Sequence, residues 1–435
     1  MRSERRSIVA LLGSTFSSNA AALAVTTALG KQVYDLTGSE LALGLLGLAE
    51  FAPNALLVLV TGTIADRFER RRIVALSMVA QAVVVAMLAA NAASGSTSSA
   101  PIFALVVLWG TARAFAWPAL RALPADVVSR ERLPWLTVRY SGTFQAAMIV
   151  GPVLGGTLYA LDIVAPFVMV ALLLVLGAAG MSLVAVHPGA SPDDGATSDA
   201  QVRADTALEM VTEAATGETA FVSTWRVRVR DALEGFRFIR QQPVLLGAIT
   251  LDLFAVLFGG AVALLPALAE ERLGVGAIGL GWLRAAVGIG AAAMTLFLAI
   301  RPLRRRVGSV LFLAVAAYGF GTIVLGFATS FAVAFAALVV LSAADSVSVF
   351  IRSALVPLLT PADRRGRVLA FETVFIGASN ELGAFEAGVA GALLGPATAV
   401  VFGGVCTLAI ALAWIRLFPA LRAVDRFPGI GSGHG

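Results

Sequence analysis

Long apolar runs separated by short polar segments fill most of this chain. Each run holds about 20 residues or more, the length at which a helix crosses the roughly 30 Å hydrocarbon layer of a bilayer. Twelve such runs predict membrane-spanning helices at 7–30, 41–65, 73–93, 101–123, 136–160, 163–186, 244–268, 277–300, 308–328, 331–357, 368–393 and 396–418. They fall six and six about a polar centre, so the pattern predicts an all-α polytopic membrane protein of two six-helix bundles.

The polar segments divide the chain into four parts. Residues 1–186 and 244–418 are the two predicted bundles, 187–243 is a cytoplasmic linker, and 419–435 is a cytoplasmic tail. The first apolar run follows a basic N-terminus, as in a signal peptide. Because it exceeds the roughly 7–15 apolar residues of such peptides, we interpret it as an uncleaved first helix.

The predicted linker contains two different stretches. From His187 to Gly217 it is rich in Ser, Asp, Thr, Ala and Gly, a composition that favours a flexible segment. From Thr224 to Gln242, apolar residues recur near helical spacing among five arginines. This second stretch predicts a basic amphipathic helix that lies along the anionic inner leaflet or, alternatively, a solvated helix ahead of the seventh span.

Arginines cluster in every second connection between the apolar runs. The clusters are at 67–72, 130–132, 301–306 and 364–367, whereas the connection at 91–100 is uncharged. Loops rich in Lys and Arg stay on the cytoplasmic side of a membrane. Both termini are therefore predicted to be cytoplasmic, and we expect a bacterial-type cytoplasmic (inner) membrane.

Composition supports a membrane protein and excludes several other classes. Hydrophobic residues make up 58% of the chain and charged residues only 14%, against about 25% charged residues in soluble domains. The net charge of +5 lies in the loops, so topology explains it better than a nucleic-acid partner does. With one cysteine, Cys406, and two histidines in or beside polar stretches, we expect no disulfide, no metal site and no cofactor. The chain also has no phosphate-binding loop and no evident nucleophile–base pair, so we do not expect an enzyme.

The two halves of the chain repeat each other at an offset of 232 to 234 residues. Three consecutive arginines, 70–72, fall on 304–306, while Gly151 and Gly156 fall on Gly383 and Gly388. Two parallel copies of a six-helix unit are a transporter plan that places the binding site between the halves, near the bilayer midplane.

The connection between the second and third runs carries a recognisable motif, Gly62-x-x-x-Asp66-Arg67-x-x-Arg70-Arg71. It resembles the loop between helices two and three of the major facilitator superfamily, except that Glu69 stands where that family usually has glycine. The resemblance implies the twelve-helix fold of that family. It also implies that these residues form a gate that holds the halves together on the cytoplasmic side. We expect Arg70 or Arg71 to bond an acid such as Asp126, and Asp66 to lie against the positive end of the eleventh helix.

The fifth run contains the sequence Gly151-Pro152-Val153-Leu154-Gly155-Gly156. It is similar to a motif typical of drug–proton antiporters in the same superfamily, and stretches such as 32–39 and 380–386 look like the branch that contains the enterobactin exporter. Small residues let helices approach closely, so plain helix packing is the alternative interpretation. The resemblance implies export.

Nine ionisable residues lie inside the predicted spans, where each costs about 3 kcal/mol at the bilayer centre and is a functional candidate. Five lie near the midplane and are assigned to proton coupling or the substrate cavity: Glu50, Arg113, Asp252, Asp345 and Glu381. The other four are secondary candidates: Arg284, Arg352, Glu372 and Glu386. Ion pairs that only lock helices together are the alternative for any one acid.

Spacing relates some of these residues to one another. Under the repeat, Arg113 falls on Asp345, so we expect them to form a pair or a shared substrate site across the cleft. On the eleventh span, Glu372 and Glu386 share a face that lies opposite Glu381. Either Glu381 faces the cavity while the other two contact neighbouring helices, or the reverse.

These features predict a secondary active exporter of a small apolar, drug-like or siderophore-like compound, driven by proton antiport. A carboxylate in a medium of low dielectric constant binds and releases protons near neutral pH, which supplies the coupling. The alternatives are an uptake or uniport transporter of the same fold and a non-transporting receptor or scaffold. The expected partners are a small-molecule substrate, protons and membrane lipid, and we expect a monomer.

Overall fold

The computed structural model describes residues 2–129, 131–185, 235–361 and 364–427. Within these ranges, the side chains of residues 2–3, 58–60, 62–63, 65–67, 370 and 373–374 lie outside the description. Most of the predicted linker, including the start of the amphipathic helix, also lies outside the described residues. The last part of that predicted helix, 235–241, is helical.

Twelve long helices account for most of the described chain. In the first half they are α1 (Arg2–Thr37), α2 (Glu40–Arg67), α3 (Arg70–Ala93), α4 (Ala100–Val127), α5 (Leu133–Leu161) and α6 (Ala165–Ser182). In the second half they are α7 (Pro243–Arg272), α8 (Gly276–Ile300), α9 (Val307–Phe327), α10 (Phe331–Leu359), α11 (Arg365–Leu394) and α12 (Pro396–Leu417), followed by the short α13 (Pro419–Arg422). The predicted twelve-helix fold is confirmed, although most helices extend past their apolar runs.

Eleven of these helices, within the described residues, are long and apolar enough to cross a membrane. The remaining one is α11, which carries Glu372, Glu381 and Glu386 as well as arginines near its start. Its length of 30 residues is ample, so its lower apolarity, to which these charges contribute, sets it apart. An intramembrane helix of this kind marks functional positions.

Helix α7 is the least regular of the twelve. After Phe258 it continues through a 3₁₀ turn, Ala261–Leu264, one short α-helical turn, Leu265–Ala267, and a π turn, Leu268–Arg272. The adjacent Gly259 and Gly260 weaken the helix, and Pro266 lacks the backbone N–H that would continue its hydrogen bonds. The hydroxyl of Tyr318 on α9 donates to the carbonyl of Gly259 at 2.7 Å, which satisfies a backbone group at the break.

The two halves meet through two equivalent helix pairs. Helix α5 packs along α8, and α2 packs along α11. Since α2 corresponds to α8 and α5 to α11 under the internal repeat, these are two copies of one contact. The parallel repeat predicted from the sequence is therefore visible in the packing.

Glycines make these contacts close. A Cβ on Gly156 of α5 would lie 2.9 Å from the Cα of Gly281 on α8, and a Cβ on Gly388 of α11 would lie 2.8 Å from the Cα of Gly44 on α2. Both distances are shorter than van der Waals contact, so only glycine admits this approach. Gly156 and Gly388 are the residues that the repeat placed on each other.

Polar side chains also join the two halves, at the end of the molecule where α1 and α7 end. Lys31 of α1 pairs with Asp35 one turn later and with Glu270 of α7, at 3.1 Å. Tyr34 of α1 donates a hydrogen bond to Glu271 of α7, and Tyr159 of α5 donates to Asp35 at 3.0 Å. We call this set, Lys31, Tyr34, Asp35, Glu270 and Glu271, the latch.

Candidate functional site

A salt bridge between α2 and α4 forms the polar centre of the first half. Arg113 Nη1 donates to Glu50 Oε1 at 2.6 Å, and the side chains are 37% and 20% exposed, respectively. Gly110, three residues before Arg113, lies against the backbone of Glu50, where any Cβ would collide with the Glu50 carbonyl. The glycine therefore brings α2 and α4 together at the depth of the ion pair.

Two charged side chains of the second half approach this salt bridge. Glu381 Oε2 of α11 lies 3.3 Å from the Cβ position of Gly47 on α2, and Arg284 Nη2 of α8 lies 3.3 Å from the Cβ position of Gly30 on α1. Glu381 is within electrostatic range of both Glu50 and Arg113, and Arg284 is within range of Glu50. We call the four residues, Glu50, Arg113, Arg284 and Glu381, the central cluster.

The central cluster contains unsatisfied charge. Its two acids and two arginines balance in number, but the Glu50–Arg113 salt bridge accounts for only one of each. The Nε of Arg284 is buried and has no hydrogen-bond partner within the part of the chain that the structure describes. Glu381 and Arg284 are thus an acidic and a basic side chain, on two helices of the second half, that face the first half and form no salt bridge with another described residue.

A second group of charges lies inside the C-terminal bundle. Arg352 Nη2 of α10 donates to Asp252 Oδ1 of α7 at 2.7 Å, and their side chains are only 5% and 7% exposed. Asp345 of α10 and Glu372 of α11 lie within electrostatic range of this pair. We call these four residues the C-terminal cluster. It holds three carboxylates and one guanidinium in a setting where uncompensated charge is costly.

The expected direct pair of Arg113 and Asp345 is wrong. Arg113 bonds Glu50, 63 residues earlier in its own half, while Asp345 lies in the C-terminal cluster. Equivalent positions in two halves are related by the pseudo-symmetry axis and touch only where they lie on that axis. Glu50 is on a neighbouring helix of the same bundle, so it is nearer to Arg113 than Asp345 is. Its carboxylate compensates for the water that the Arg113 guanidinium loses on burial.

Helix α11 presents its acids to different surroundings. Glu381 faces α2 at the interface between the halves, and Glu372 lies beside Asp252 and Arg352. Glu386 is partly buried and lies within electrostatic range of Cys406 on α12. Glu381 thus faces the other half, and its position in the cavity, which one of the two expected arrangements requires, stays a prediction.

The glycine-proline motif of α5 is built into helix contacts. A Cβ on Gly151 would lie 2.7 Å from the carbonyl oxygen of Ala20 on α1, and one on Gly155 would lie 2.9 Å from the Cα of Ala24. Gly281 of α8 lies against the carbonyl of Pro152 and against Gly156. The motif thus fixes α5 between α1 of its own half and α8 of the other.

The gate motif is described only in part. The side chains of Asp66 and Arg67, and the contacts of Gly62, lie outside the described set. Arg70 Nη1, at the start of α3, donates to both carboxylate oxygens of Asp126 on α4 at 2.9 and 3.0 Å. Arg71 pairs with Glu69 and donates to the carbonyl of Val184, just after α6, at 2.8 Å. Arg70 is thus the arginine that reaches Asp126, and both bonds hold helix ends of the first half together.

Some polar residues in the interior were not singled out from the sequence. Lys31, Glu270 and Glu271 lay outside the predicted spans, and Tyr34 and Asp35 entered only through the stretch 32–39. Lys31, the only lysine in the chain, nevertheless has an acid four residues after it. Ser348 and Tyr318, which adjoin the C-terminal cluster, carry no signal in the sequence beyond being polar within apolar runs. Within the described residues, no group of three or more His, Cys, Asp and Glu side chains is placed to hold a metal ion.

A wide apolar groove of about 860 Å³ lies between α2, α3 and α4, and no residue of either cluster lines it. Its lining includes Leu76, Val83, Met87 and Leu108, whose exposed fractions range from 49% to 71%. In a helix bundle that spans a membrane, an exposed apolar surface of this kind is what lipid chains cover. We therefore do not assign the groove to transport.

Several solved membrane transporters have the same fold. The structure aligns with a POT family transporter in complex with 5-aminolevulinic acid at a TM-score of 0.69 and 11% identity, covering 96% of each chain. It aligns with the nucleoside transporter NupG at a TM-score of 0.66 and 12% identity, covering 96% of this chain and 99% of that one. A bacterial homologue of the human lysosomal transporter Spinster, inward-facing and unoccupied, gives a TM-score of 0.67 and 15% identity, covering 97% of this chain and 96% of that one.

Sequence comparison identifies the family directly. No curated protein matches the chain in sequence. A sequence model of the Major Facilitator Superfamily, in contrast, matches residues 7–371, most of the chain, including α1 to α10 and the start of α11. Together with the twelve-helix fold and the charges between its halves, this match shows that the chain belongs to the major facilitator superfamily of membrane transporters.

Proposed function

We propose that the protein is a proton-coupled exporter that moves a small apolar, drug-like or siderophore-like compound out of the cytoplasm by alternating access. The observation that carries the proposal is the position of Glu381. This acid lies at the interface of the halves, beside the Glu50–Arg113 pair, on the one long helix among those described that falls short of the apolarity of a membrane span. The match to the superfamily and the solved transporters of the same fold support transport of a small molecule.

Glu381 is the proton carrier in this mechanism. When Glu381 is protonated, Glu50 and Arg113 neutralise each other and the interface holds no unpaired negative charge. When Glu381 ionises, it competes with Glu50 for Arg113 and attracts Arg284, which draws α8, α11 and the first half together. A single proton thereby changes the attraction between the halves, which is what coupling of a proton to a conformational change requires.

The substrate site lies between the halves, next to the central cluster. Phe51 of α2 lies 3.3 Å from the Cβ position of Gly377 on α11, so an aromatic ring adjoins the cluster at this interface. Such a setting suits a compound that is mainly apolar and carries a polar group. Export, rather than uptake, rests on the glycine-proline motif of α5 and its resemblance to drug–proton antiporters.

The two ends of the molecule have separate roles in the cycle. The arginine-rich connections place the α2–α3 end on the cytoplasmic side, so the latch closes the outer end. For outward release, the Lys31–Glu270 pair and the Tyr34–Glu271 hydrogen bond must break. Asp66, Arg67, Arg70 and Arg71 stabilise the opposite, cytoplasmic end in the outward-facing state.

Transport by inverted membrane vesicles tests the proposal. Vesicles energised to an acidic interior are expected to accumulate a fluorescent dye or a catecholate siderophore only when they contain the protein, and Glu381→Gln is expected to reduce this accumulation at least tenfold. Asp162→Asn is the matched control, since Asp162 caps α6 from an exposed turn and asparagine caps equally well.

The outcome also separates the alternative functions. Accumulation that persists after the proton gradient is collapsed would contradict antiport. Substrate movement in the same direction as the protons would instead assign uptake. Equal accumulation in wild type and Glu381→Gln vesicles would remove Glu381 as the proton carrier.

A further inference from the structure

A small cavity lies inside the C-terminal bundle, next to the Asp252–Arg352 pair. Its volume is about 10 Å³, and its polar lining consists of Asp252 of α7, Tyr318 of α9, and Asp345 and Ser348 of α10. A single water needs about 10–15 Å³. The cavity therefore admits one water-sized particle and is too small for any organic substrate.

One oxygen that lines the cavity has no partner. Ser348 is 3% exposed, and its Oγ makes no hydrogen bond within the described part of the chain. Asp345, one helical turn earlier, is on the same face of α10. A buried hydroxyl without a partner is unfavourable, so an occupant that interacts with this oxygen stabilises the bundle.

The charges around the cavity favour a cation as that occupant. Asp252 uses one carboxylate oxygen to bind Arg352, which leaves its other oxygen available, and Asp345 makes no ion pair among the described residues. Glu372 of α11 adds a third acid near Arg352. Three carboxylates and one guanidinium leave a surplus of negative charge in a buried setting.

The donor set indicates which cation fits. The lining offers carboxylate and hydroxyl oxygens, the ligands that hard cations prefer. Only two carboxylates, Asp252 and Asp345, are among the described residues that line the cavity, and Arg352 already neutralises one of them, so a divalent ion would lack the charge it requires. The volume leaves no room for retained hydration waters.

We propose that this cavity binds a dehydrated sodium ion, held by Asp252, Asp345 and Ser348. The site is internal to the C-terminal bundle and connects α7, α9 and α10. It is separate from the central cluster, and it goes beyond the proton-coupled export proposed above because sodium binding needs neither substrate nor a proton gradient. An ion at this position offsets the surplus charge and fixes three helices relative to one another.

Thermal unfolding of the purified full-length protein tests the site. The unfolding midpoint is measured in NaCl, KCl and choline chloride at equal ionic strength, without substrate. A bound ion stabilises the folded state by an amount that grows with the ratio of its concentration to its Kd, so the midpoint is expected to rise with Na⁺ and not with choline. Ser348→Ala is expected to weaken the apparent Na⁺ affinity about tenfold, as loss of one oxygen ligand implies, and Asp345→Asn is expected to abolish the response.

Ser346→Ala is the matched control. Ser346 is two residues away on α10, and its Oγ donates to the carbonyl of Ser342 in its own helix at 2.9 Å, so its loss is expected to leave the Na⁺ response unchanged. Equal midpoints in NaCl, KCl and choline chloride would overturn the proposal and leave the cavity to a water or a proton. A Na⁺ response that survives in both Ser348→Ala and Asp345→Asn would overturn it as well, because the ion would then bind elsewhere. Neither result would bear on proton-driven export, which is measured separately by vesicle transport.

Discussion

The two halves of this transporter share a helix plan but use their buried charges differently. In the N-terminal half, the Glu50–Arg113 pair is partly exposed and faces the other half, whereas in the C-terminal half, the Asp252–Arg352 pair is almost fully buried inside its own bundle. Burial decides what an ion pair does. A partly exposed pair is worth little to stability and is free to exchange partners, while a buried pair becomes indispensable once its partners have lost their water.

The largest effect is expected from breaking the buried pair. Arg352→Met removes the only guanidinium of the C-terminal cluster and leaves Asp252 without its partner, at a cost of about 3–5 kcal/mol. The yield of folded protein and its unfolding midpoint in detergent should both fall sharply. The double variant Asp252→Asn/Arg352→Met should recover part of the loss, because it leaves one buried charge fewer. A single Arg352→Met variant as stable as wild type would show that the C-terminal cluster is solvated.

The glycine contacts between the halves provide the next test. Gly156→Ala and Gly388→Ala each place a methyl group within 3 Å of a facing Cα, so each should destabilise the protein by about 1–3 kcal/mol. The two effects should be similar, since the residues are equivalent under the repeat. Gly142→Ala in α5 and Gly366→Ala in α11 are the controls, because no atom lies within 4 Å of either added Cβ. A large difference between Gly156→Ala and Gly388→Ala would show that the halves do not share the contact equally.

The exposed pair should show the opposite balance between stability and function. Arg113→Met breaks the Glu50 salt bridge, but because the pair is partly solvated its unfolding free energy should change by no more than about 1 kcal/mol. Proton-driven transport in vesicles should nevertheless fall at least tenfold, since the central cluster loses one of its two cations. Comparison with Arg352→Met is the control. Loss of stability in Arg113→Met comparable with that in Arg352→Met would remove the distinction between the halves.

The smallest effect is expected at the latch. Tyr34→Phe removes one hydrogen bond to Glu271, which is worth about 1 kcal/mol, and should favour opening of that end. Leu43, packed against Tyr34 and Ala267, can be replaced by cysteine in a Cys406→Ala background, and its labelling by an impermeant maleimide should rise about fivefold. Tyr140→Phe, which loses a bond to the Leu120 carbonyl inside the first half, should leave the labelling rate unchanged.

The fold was predictable because the length of an apolar run can be read from the run itself. Each apolar run had to form its own backbone hydrogen bonds in lipid, and this fixed twelve helices without any knowledge of their neighbours. The repeat was readable as well, since Gly156 and Gly388 are both required to be small by the same contact. The break in α7 was missed, although Gly259, Gly260 and Pro266 lie where the helix changes type.

The pairing of charges was not predictable to the same degree. Their depth in the membrane and the internal repeat suggested that Arg113 pairs with Asp345. The partner of a charged side chain, however, depends on which helices are adjacent and on how each helix is rotated. Helical phase did separate Glu381 from Glu372, since this is a property of one helix. The bonds of Lys31 and Tyr34 to the end of α7 depend on the π turn at Leu268–Arg272, whose residues show no apolar periodicity that would reveal it.

The two glycine contacts also act as a fulcrum. Both are backbone against backbone, so the contacts themselves hold no interlocked side chains that would have to disengage when one half tilts against the other. Gly388 is seven residues, about 10 Å along the axis, from Glu381, so a rocking motion about the line through the two contacts displaces the acid much less than it displaces the distant helix ends at the α2–α3 connection. In the proton-coupled cycle proposed above, the charges that respond to the proton would therefore stay near one another, and the length of the helices would turn a small rearrangement there into a wide opening.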